Sequence, residues 1–206
     1  MNTRSTIGVA RPAALFLAVI AGATAAEKLD TAQERELDTF FSNFSEARVE
    51  SFTPGSLSDE ALLSFALAHN YINKFKALKV SPDKLSVLVT AESVDRTTEK
   101  YFGRTLGAHR DAPYSVPLAD GEALPFSQVR TLTARGEAGH YQAEGIIYQP
   151  GGVGPLDVHA TPQAWKQQGE EVQETARFTA VIDKVRTGGD ERWVLREYRV
   201  RTSAPN

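Results

Sequence analysis

A histidine and two asparagines interrupt an otherwise apolar stretch with helical spacing. His69 and Asn73 are four residues apart and Asn70 and Asn73 are three apart, so each pair shares a face of the predicted helix. An imidazole beside carboxamides on a rigid element could bind a polar ligand or act as an acid–base group. The alternative is that these side chains cap backbone groups of a neighbouring segment, as buried polar side chains commonly do.

A second histidine candidate follows the end of the third predicted helix. His109 lies in a predicted loop between Gly107 and Pro113, and loops often carry functional residues. Tyr101, near the helix end, could assist a binding or catalytic histidine. The alternatives are an exposed loop histidine and a core aromatic, neither with a role in function. The candidate ligand-binding residues are therefore His69, Asn70, Asn73, Tyr101 and His109.

Asp157 and His159 form the best candidate pair for a metal ion. Residues two apart on a strand point the same way, so both side chains could contact one ion, with His140 or Glu144 as more distant ligands. The signal is weak, because the chain has four histidines and neither a His-Glu-x-x-His motif nor an Asp-rich calcium loop. We therefore predict neither a metal nor another cofactor.

Several reaction classes are excluded by composition or by missing motifs. The chain has no cysteine, which rules out a thiol nucleophile, a disulfide and a cysteine-bound metal cluster. No Gly-x-Ser-x-Gly motif marks a nucleophilic serine. The glycine-rich segment 151–155 lacks the Gly-Lys-Ser/Thr ending of a phosphate-binding loop, and the acidic run around Glu170 is typical of a solvated face. No catalytic signature therefore stands out in this sequence.

The candidate residues of the first half need helices to position them, and three are predicted there. A capping box of Thr31 and Glu34 begins the first helix. The second carries His69 on a surface that is otherwise apolar around more than half its circumference, which predicts a central position in the core. The third is capped by Ser93 and ends before Gly103. The apolar face of the first helix consists of Leu37, Phe40, Phe41 and Phe44.

The second half of the chain predicts an antiparallel meander of strands. The dipeptide Asp120-Gly121 predicts a hairpin turn between a strand at 114–118 and the strand that follows. Alternating apolar residues predict further strands around 141–147 and 176–182, and then a final strand. The buried face changes along that final strand, which predicts a β-bulge near Arg196.

These elements predict an α+β fold in which N-terminal helices pack on a curved antiparallel β-sheet meander. The order of elements resembles the cystatin-like and NTF2-like architectures, which host both enzymes and binding modules, and no family motif accompanies the resemblance. After a signal peptide at 1–26, residues 27–206 are predicted to form one domain, with a helical half at 29–106 and a β-rich half at 113–202.

The first 26 residues have the pattern of a cleavable signal peptide. Arg4 and Arg11 precede an apolar run at 13–21, which is shorter than the roughly 20 residues that span a bilayer. Small residues after that run predict cleavage after Ala25 or Ala26. We therefore expect a soluble protein in the periplasm or outside the cell, with no membrane span after cleavage.

The charge balance excludes one class of partner. The chain has 23 basic and 26 acidic residues, and no basic run stands out along it, so nucleic acid is not expected as a partner. An unknown protein or small-molecule ligand remains. The sequence predicts an exported bacterial envelope protein that acts as a non-enzymatic ligand-binding or protein-interaction module. The alternative is a small periplasmic enzyme with an acid–base cluster of His69 and Asn73, or with His109.

Overall fold

The computed structural model of this protein describes residues 26–203, which contain helices and two antiparallel sheets. The predicted α+β class is confirmed. The predicted signal peptide, residues 1–26, lies outside the described residues except for Ala26. Within those described residues, none of the helices combines the length and the apolar character that crossing a bilayer requires.

Four helices and eight strands follow one another along the described residues. The helices are α1 (Thr31–Glu46), α2 (Asp59–Lys74), α3 (Ala91–Phe102) and α4 (Pro162–Gln168), and a 3₁₀ turn at Phe75–Ala77 follows α2. The strands are β1 (Ala26–Glu27), β2 (Lys79–Val80), β3 (Ser86–Val89), β4 (Tyr114–Pro117), β5 (Phe126–Ala134), β6 (His140–Pro150), β7 (Val172–Thr187) and β8 (Asp190–Thr202). The short helix α4 was not predicted from the sequence.

The first helix begins one residue earlier than the predicted capping box. Its N-cap is Asp30, whose Oδ1 accepts hydrogen bonds from the backbone N–H groups of Ala32 and Gln33 at 2.9 and 2.8 Å. Gln33 completes the box by accepting from the Asp30 N–H. The predicted box of Thr31 and Glu34 was therefore wrong, because the carboxylate of Asp30 is the better N-cap acceptor.

The third helix also begins earlier than predicted, but it ends as predicted. Thr90, and not Ser93, is the N-cap, and its Oγ1 accepts from the Ser93 N–H at 3.2 Å. At the other end Gly103 has a φ of 68°, in the left-handed region that glycine adopts without a Cβ clash. The helix places Tyr101 and Phe102 in the core.

The larger sheet has five strands in the order β1-β5-β6-β7-β8, and β1 is a two-residue edge. The predicted meander corresponds to β5, β6, β7 and β8, including a strand predicted from the alternation of Val129, Thr131 and Thr133. In the pairing of β7 with β8, Arg196 is an extra residue between Leu195 and Glu197, so the predicted bulge is confirmed. The bulge lets Leu195 and Tyr198 face the same core although they are three residues apart.

The smaller sheet has the order β2-β3-β4, with Val87 of β3 opposite Val116 of β4. The sequence predicted a hairpin through Asp120-Gly121 between β4 and the next strand. That prediction was wrong, because β5 belongs to the larger sheet and segment 118–125 crosses from one sheet to the other. Local turn propensity does not specify the partner of a strand, since tertiary contacts select it.

The main core lies between the helices and the inner face of the larger sheet. Helix α1 packs along β5, α3 packs against β8, and α2 packs on both helices. The predicted apolar face of α1 is buried there, with Phe41 and Phe44 fully inaccessible. The ring of Phe178 on β7 lies against Phe41, with 4.5 Å between ring centroids. The predicted packing of helices on the sheet therefore rests on aromatic contacts.

A second and smaller cluster lies on the outer face of the same sheet. Trp165 of α4 contacts Phe126 and Tyr148, with ring centroids 5.4 and 5.1 Å apart. The Trp165 indole N–H is satisfied by the Asp157 carbonyl at 2.8 Å. Helix α4 therefore covers one end of the outer face and leaves the remainder open.

Candidate functional site

His69 lies inside the helix layer, with 5% of its surface exposed. Its ring stacks on Phe65 and meets the edge of Tyr101, with centroid distances of 5.7 and 4.8 Å. The Nδ1 atom is 3.3 Å from Nδ2 of Asn73. Burial, together with two nearby lysines, lowers the pKa of His69 to about 4. The imidazole is therefore neutral at pH 7 and accepts the hydrogen bond of the Asn73 amide.

Asn70 links α2 to α3. Its side chain is buried, and Nδ2 donates to the Ala66 carbonyl at 2.8 Å and to Oγ1 of Thr97 at 3.0 Å. A longer contact of 3.4 Å reaches the Ser93 carbonyl. These bonds fit the capping alternative, because the amide is occupied by partners within its own core.

Asn73 extends the cluster toward α1. Its Nδ2 also lies 3.5 Å from Oε2 of Glu46, so one amide bridges a carboxyl group and the imidazole of His69. Burial raises the pKa of Glu46, and burial together with the charge of Glu46 raises the pKa of Tyr101 to about 12. The structure thus brings His69, Asn73 and Tyr101 together, whereas Asn70 faces α3.

His109 has different neighbours, and both of its ring nitrogens are occupied. Nδ1 is 2.9 Å from the Tyr114 hydroxyl, and Nε2 is 2.9 Å from Oδ1 of Asp95 on α3. The same carboxylate oxygen accepts the backbone N–H of Leu106 at 3.2 Å. His109 therefore joins the loop after α3 to α3 and β4, and a ligand could reach either nitrogen only by replacing one of these bonds.

The predicted metal pair, Asp157 and His159, lies in a turn before α4 and not on a strand. Oδ1 of Asp157 accepts the backbone N–H of His159 at 3.0 Å. Nδ1 of His159 contacts Oδ2 of Asp38 on α1 at 3.1 Å. The expectation of a strand at this pair was wrong, so the two-residue alternation from which a shared direction was predicted is absent there.

His140 and Glu144, the more distant metal candidates, do not join that pair. Nδ1 of His140 is 2.6 Å from Oδ1 of Asp183, and Glu144 lies on the outer face of β6. Between residues 26 and 203, no three metal-ligating side chains come together to hold an ion.

A groove of about 1160 Å³ runs across the open part of the outer sheet face. Two further cavities of about 470 Å³ each lie beside α4 and next to the residues after α1. The large groove is lined mostly by polar residues of β5, β6, β7 and β8, together with Ile146 and Val172, and by Ser203 just after β8. We name it the arginine groove for its four arginines, Arg130, Arg177, Arg199 and Arg201.

Strand register places three of these arginines close together. Arg177 of β7 stands directly opposite Arg201 of β8, and Thr179 stands opposite Arg199. Like charges directly opposite on one sheet face are destabilising. Arg177 is partly neutralised by Glu174, with 2.8 Å between Nε and Oε1. The opposed guanidinium groups therefore form a region of positive charge that an anionic ligand would stabilise.

Arg130 forms the other side of the arginine groove and is held in a fixed position. Its Nη2 donates to the Tyr148 hydroxyl and to Oε1 of Gln128, both at 2.8 Å. Gln128 is fixed in turn, because its Nε2 donates to the carbonyls of Val158 and Ala160 at 2.6 and 2.9 Å. The guanidinium group therefore presents its other N–H donors from a rigid support.

The pKa of Glu174 is lowered by its positively charged neighbours in the arginine groove. Hydrogen bonds from Arg177 and from Ser203, with the charge of Arg130 as a smaller contribution, lower the pKa of Glu174. The Ser203 hydroxyl donates to Oε1 at 3.0 Å. This carboxylate is ionised at neutral pH and can act there only as a hydrogen-bond acceptor.

Sequence reasoning missed the arginine groove because its residues come from strands that are distant in the chain. A signal was nevertheless available. Arg177 lies between the buried residues Ala176 and Phe178, so strand alternation points it outward. The Gly188-Gly189 turn joins β7 to β8 and sets the register that brings Arg201 opposite Arg177.

The chain matches no known protein family, curated protein or solved structure, so it has no recognisable relative from which a function could be transferred. The helix cluster around His69 is buried, whereas the arginine groove is open and positively charged.

Proposed function

We propose that this protein is a soluble bacterial envelope protein, exported by its N-terminal signal peptide, that acts as a non-enzymatic binding module. Its ligand binds in the arginine groove. The observation that carries this proposal is the open outer sheet face with four arginines, of which Arg177 and Arg201 stand directly opposite each other. Guanidinium groups bind carboxylates and phosphates through parallel N–H donors, so the expected ligand is anionic.

The arginine groove has the chemistry of recognition rather than of proton transfer. Its polar lining consists of guanidinium, hydroxyl and amide groups and two carboxylates, Glu144 and Glu174, and the described residues that line it include no histidine. The lowered pKa of Glu174 removes that carboxylate as a proton donor near neutral pH. These groups favour the binding of a polar, negatively charged ligand.

The binding site is tested with an array of bacterial envelope glycans and lipids. The groove variant carries Arg177→Ser and Arg201→Ser, and the matched control carries Arg110→Ser and Arg135→Ser, two exposed arginines outside the groove. We expect at least one array component to bind the wild type and the control but not the groove variant. A protein that binds nothing on the array, or binds equally well as the groove variant, contradicts the proposal.

Export is tested separately with the full chain produced in a Gram-negative host. The supporting pattern is the basic start with Arg4 and Arg11, the apolar run and the small residues at the cleavage site. We expect the protein in the periplasmic fraction with the intact mass of a chain that lacks residues 1–25 or 1–26. An uncleaved chain in the cytosolic fraction would show that the N-terminal pattern is not a signal peptide.

A periplasmic enzyme is the second candidate, and the bridge from Glu46 through Asn73 to His69 is the observation in its favour. A carboxyl and an imidazole joined by one amide resemble parts of an acid–base site. Against it, the His69 ring packs between Phe65 and Tyr101 and is 5% exposed, so a substrate reaches it only if α2 and α3 separate.

The accessibility of His69 decides between these candidates. Diethyl pyrocarbonate modifies accessible histidines, and peptide mass spectrometry locates the modified residues. We expect rapid modification of the more exposed His140 and none of His69 in the folded protein. Rapid modification of His69 at neutral pH would favour the enzyme.

A further inference from the structure

We infer that the arginine groove binds a linear acidic polysaccharide, a glycan chain in which carboxylate groups are separated by free hydroxyl groups. The inference rests on the proposed function and adds the class of ligand. It follows from the combination of spaced arginines, carboxylates and neutral hydrogen-bonding side chains in one groove.

The backbone positions of the four arginines extend across four strands of the sheet, with three on β7 and β8 and one on β5. Arg177 and Arg201 lie on neighbouring strands about 4.8 Å apart, and Arg199 lies about 6.8 Å along β8 from Arg201. Arg130 belongs to β5, three strands from β8, which corresponds to about 14 Å across the sheet. This spread of backbone positions matches a chain with several separated anionic groups better than one small anion.

The guanidinium groups of the arginine groove are available to such a chain. Among the residues that the structure describes, Arg130 and Arg201 form no ion pair with a carboxylate. Arg177 and Arg199 pair with acidic neighbours on their own strands, and their side chains are 68% and 53% exposed. Exposed pairs of this kind are weak, so a ligand carboxylate can replace the neighbour at little cost.

Two acidic side chains in the groove argue against a densely charged polymer. Glu144 and Glu174 line the same groove as the arginines. They would repel the closely spaced phosphates of a nucleic acid or a polyphosphate, whereas carboxylates accept hydrogen bonds from hydroxyl groups.

Neutral hydrogen-bonding side chains complete the match to a polysaccharide. Thr179 and Ser203 contribute hydroxyl groups, and Gln173 contributes an amide. Thr179 stands directly opposite Arg199, so a hydroxyl and a guanidinium group lie side by side. A uronic acid carries a carboxylate and hydroxyl groups on one ring and offers partners to both. An acidic peptide offers carboxylates but few hydroxyl donors.

Calorimetric titration of the purified protein with oligogalacturonate, a linear chain of uronic acids, tests this inference. We expect binding that weakens by about tenfold or more when the same oligosaccharide is fully methyl-esterified, because esterification removes the charges and keeps the hydroxyl groups. Arg199→Gln combined with Arg201→Gln should also weaken binding about tenfold. The control pair Arg110→Gln and Arg135→Gln should stay within about twofold of the wild type.

A second variant tests the contribution of the hydroxyl groups without changing charge. Thr179→Val keeps the shape of the side chain and removes its hydroxyl, so we expect oligogalacturonate to bind about threefold more weakly. A melting temperature equal to that of the wild type confirms that the variant is folded. Unchanged affinity would show that the groove recognises charge alone and would contradict a polysaccharide.

Competing ligands decide the remaining alternatives. Tighter binding of polyphosphate, of poly-L-glutamate or of phosphatidylglycerol vesicles than of oligogalacturonate would overturn the inference. If oligogalacturonate does not bind, and every array component whose binding depends on Arg177 and Arg201 is something other than an acidic polysaccharide, the inference fails and the proposed function stands. If no array component depends on those arginines, both fail.

Discussion

The two faces of the five-stranded sheet are built from the same strands, yet they have opposite character. On β7, Phe178 and Ile182 face the core and are 1% and 0% exposed, whereas Arg177 and Thr179 line the arginine groove. Successive side chains of a strand point to opposite faces, so one strand supplies both a core and a binding surface. Residues of the inner face therefore determine stability, whereas residues of the outer face are available to a ligand.

Polar side chains also have different partners on the two faces. On the inner face, Oδ1 of Asp38 accepts the Val129 N–H at 2.7 Å and Oγ of Ser42 accepts the Ser127 N–H at 3.0 Å. These side chains of α1 satisfy backbone groups where β5 has no neighbouring strand, which closes the inner face. On the outer face, polar side chains such as Arg201 remain exposed to solvent.

Replacing Phe178 by alanine has the largest expected effect. Its ring is buried against Phe41, so the substitution leaves a cavity, and we expect the free energy of unfolding to fall by about 3–5 kcal/mol. The matched control is Thr179→Ala at the next, outward position, with an expected change under about 0.5 kcal/mol. Urea denaturation measures both. Equal losses at the two positions would contradict the difference between the faces.

The next largest expected effect is the pH dependence of the free energy of unfolding, which arises from His69 in the helix layer over the inner face. The pKa of His69 is lowered from 6.5 to about 4, chiefly by burial. Below pH 6.5 the unfolded chain therefore binds a proton that the folded chain does not. The stability contributed by the neutral ring is present above that pH and is lost as the pH falls toward about 4. The free energy of unfolding is expected to fall by roughly 3 kcal/mol over this range.

His69→Gln isolates this contribution, because glutamine remains neutral throughout the range. We expect the difference in free energy of unfolding between wild type and variant to shrink or change sign as the pH falls from 6.5 to 4. Urea denaturation at a series of pH values measures it. Parallel pH profiles would show that the ring is not held neutral in the core.

Gly145→Ala probes the close packing of the inner face. A methyl group at this position of β6 would contact the Gln128 carbonyl oxygen and the Phe178 ring. We expect overpacking to lower the free energy of unfolding by about 1–3 kcal/mol. Gly152→Ala is the control, because open space surrounds that loop position. Thermal unfolding distinguishes them, and equal melting temperatures would mean that the inner face tolerates added volume.

Arg201→Gln has the smallest expected effect on stability. It removes one of two like charges that stand opposite each other, so we expect the free energy of unfolding to rise by about 0.2–0.5 kcal/mol. Arg110→Gln, at an exposed loop position, should leave stability unchanged. Urea denaturation at low salt measures both. A loss above about 1 kcal/mol would show that the groove arginines support folding and would remove the distinction between the faces.

The inner face was largely predictable because its signals are local. Leu37 and Phe41 recur at helical spacing on α1, and Ala176 and Phe178 alternate on β7, and all four are buried. The bulge at Arg196 was also predictable, because the buried positions change face along β8. The crossover between the two sheets was not, because a turn dipeptide carries no information on which strand follows as a partner.

The candidate site was predictable in part for the same reason. Helical spacing correctly placed His69 and Asn73 on one face, where Nδ1 of His69 lies 3.3 Å from Nδ2 of Asn73. It did not reveal that His109 contacts Asp95 or that His159 contacts Asp38. Spacing within one element specifies which side chains share a face, but the partner across a tertiary contact comes from another element.

By itself, the sequence determined the α+β class, the core-facing residues of the helices and strands, and the absence of cysteine chemistry, since periodicity and composition are properties of the chain alone. Only the tertiary structure decided the strand order, the division into two sheets and the assembly of the arginine groove from Arg130, Arg177, Arg199 and Arg201. The physical reason is that strand pairing and register follow from burial of the whole inner face, and outward side chains are gathered only as its consequence.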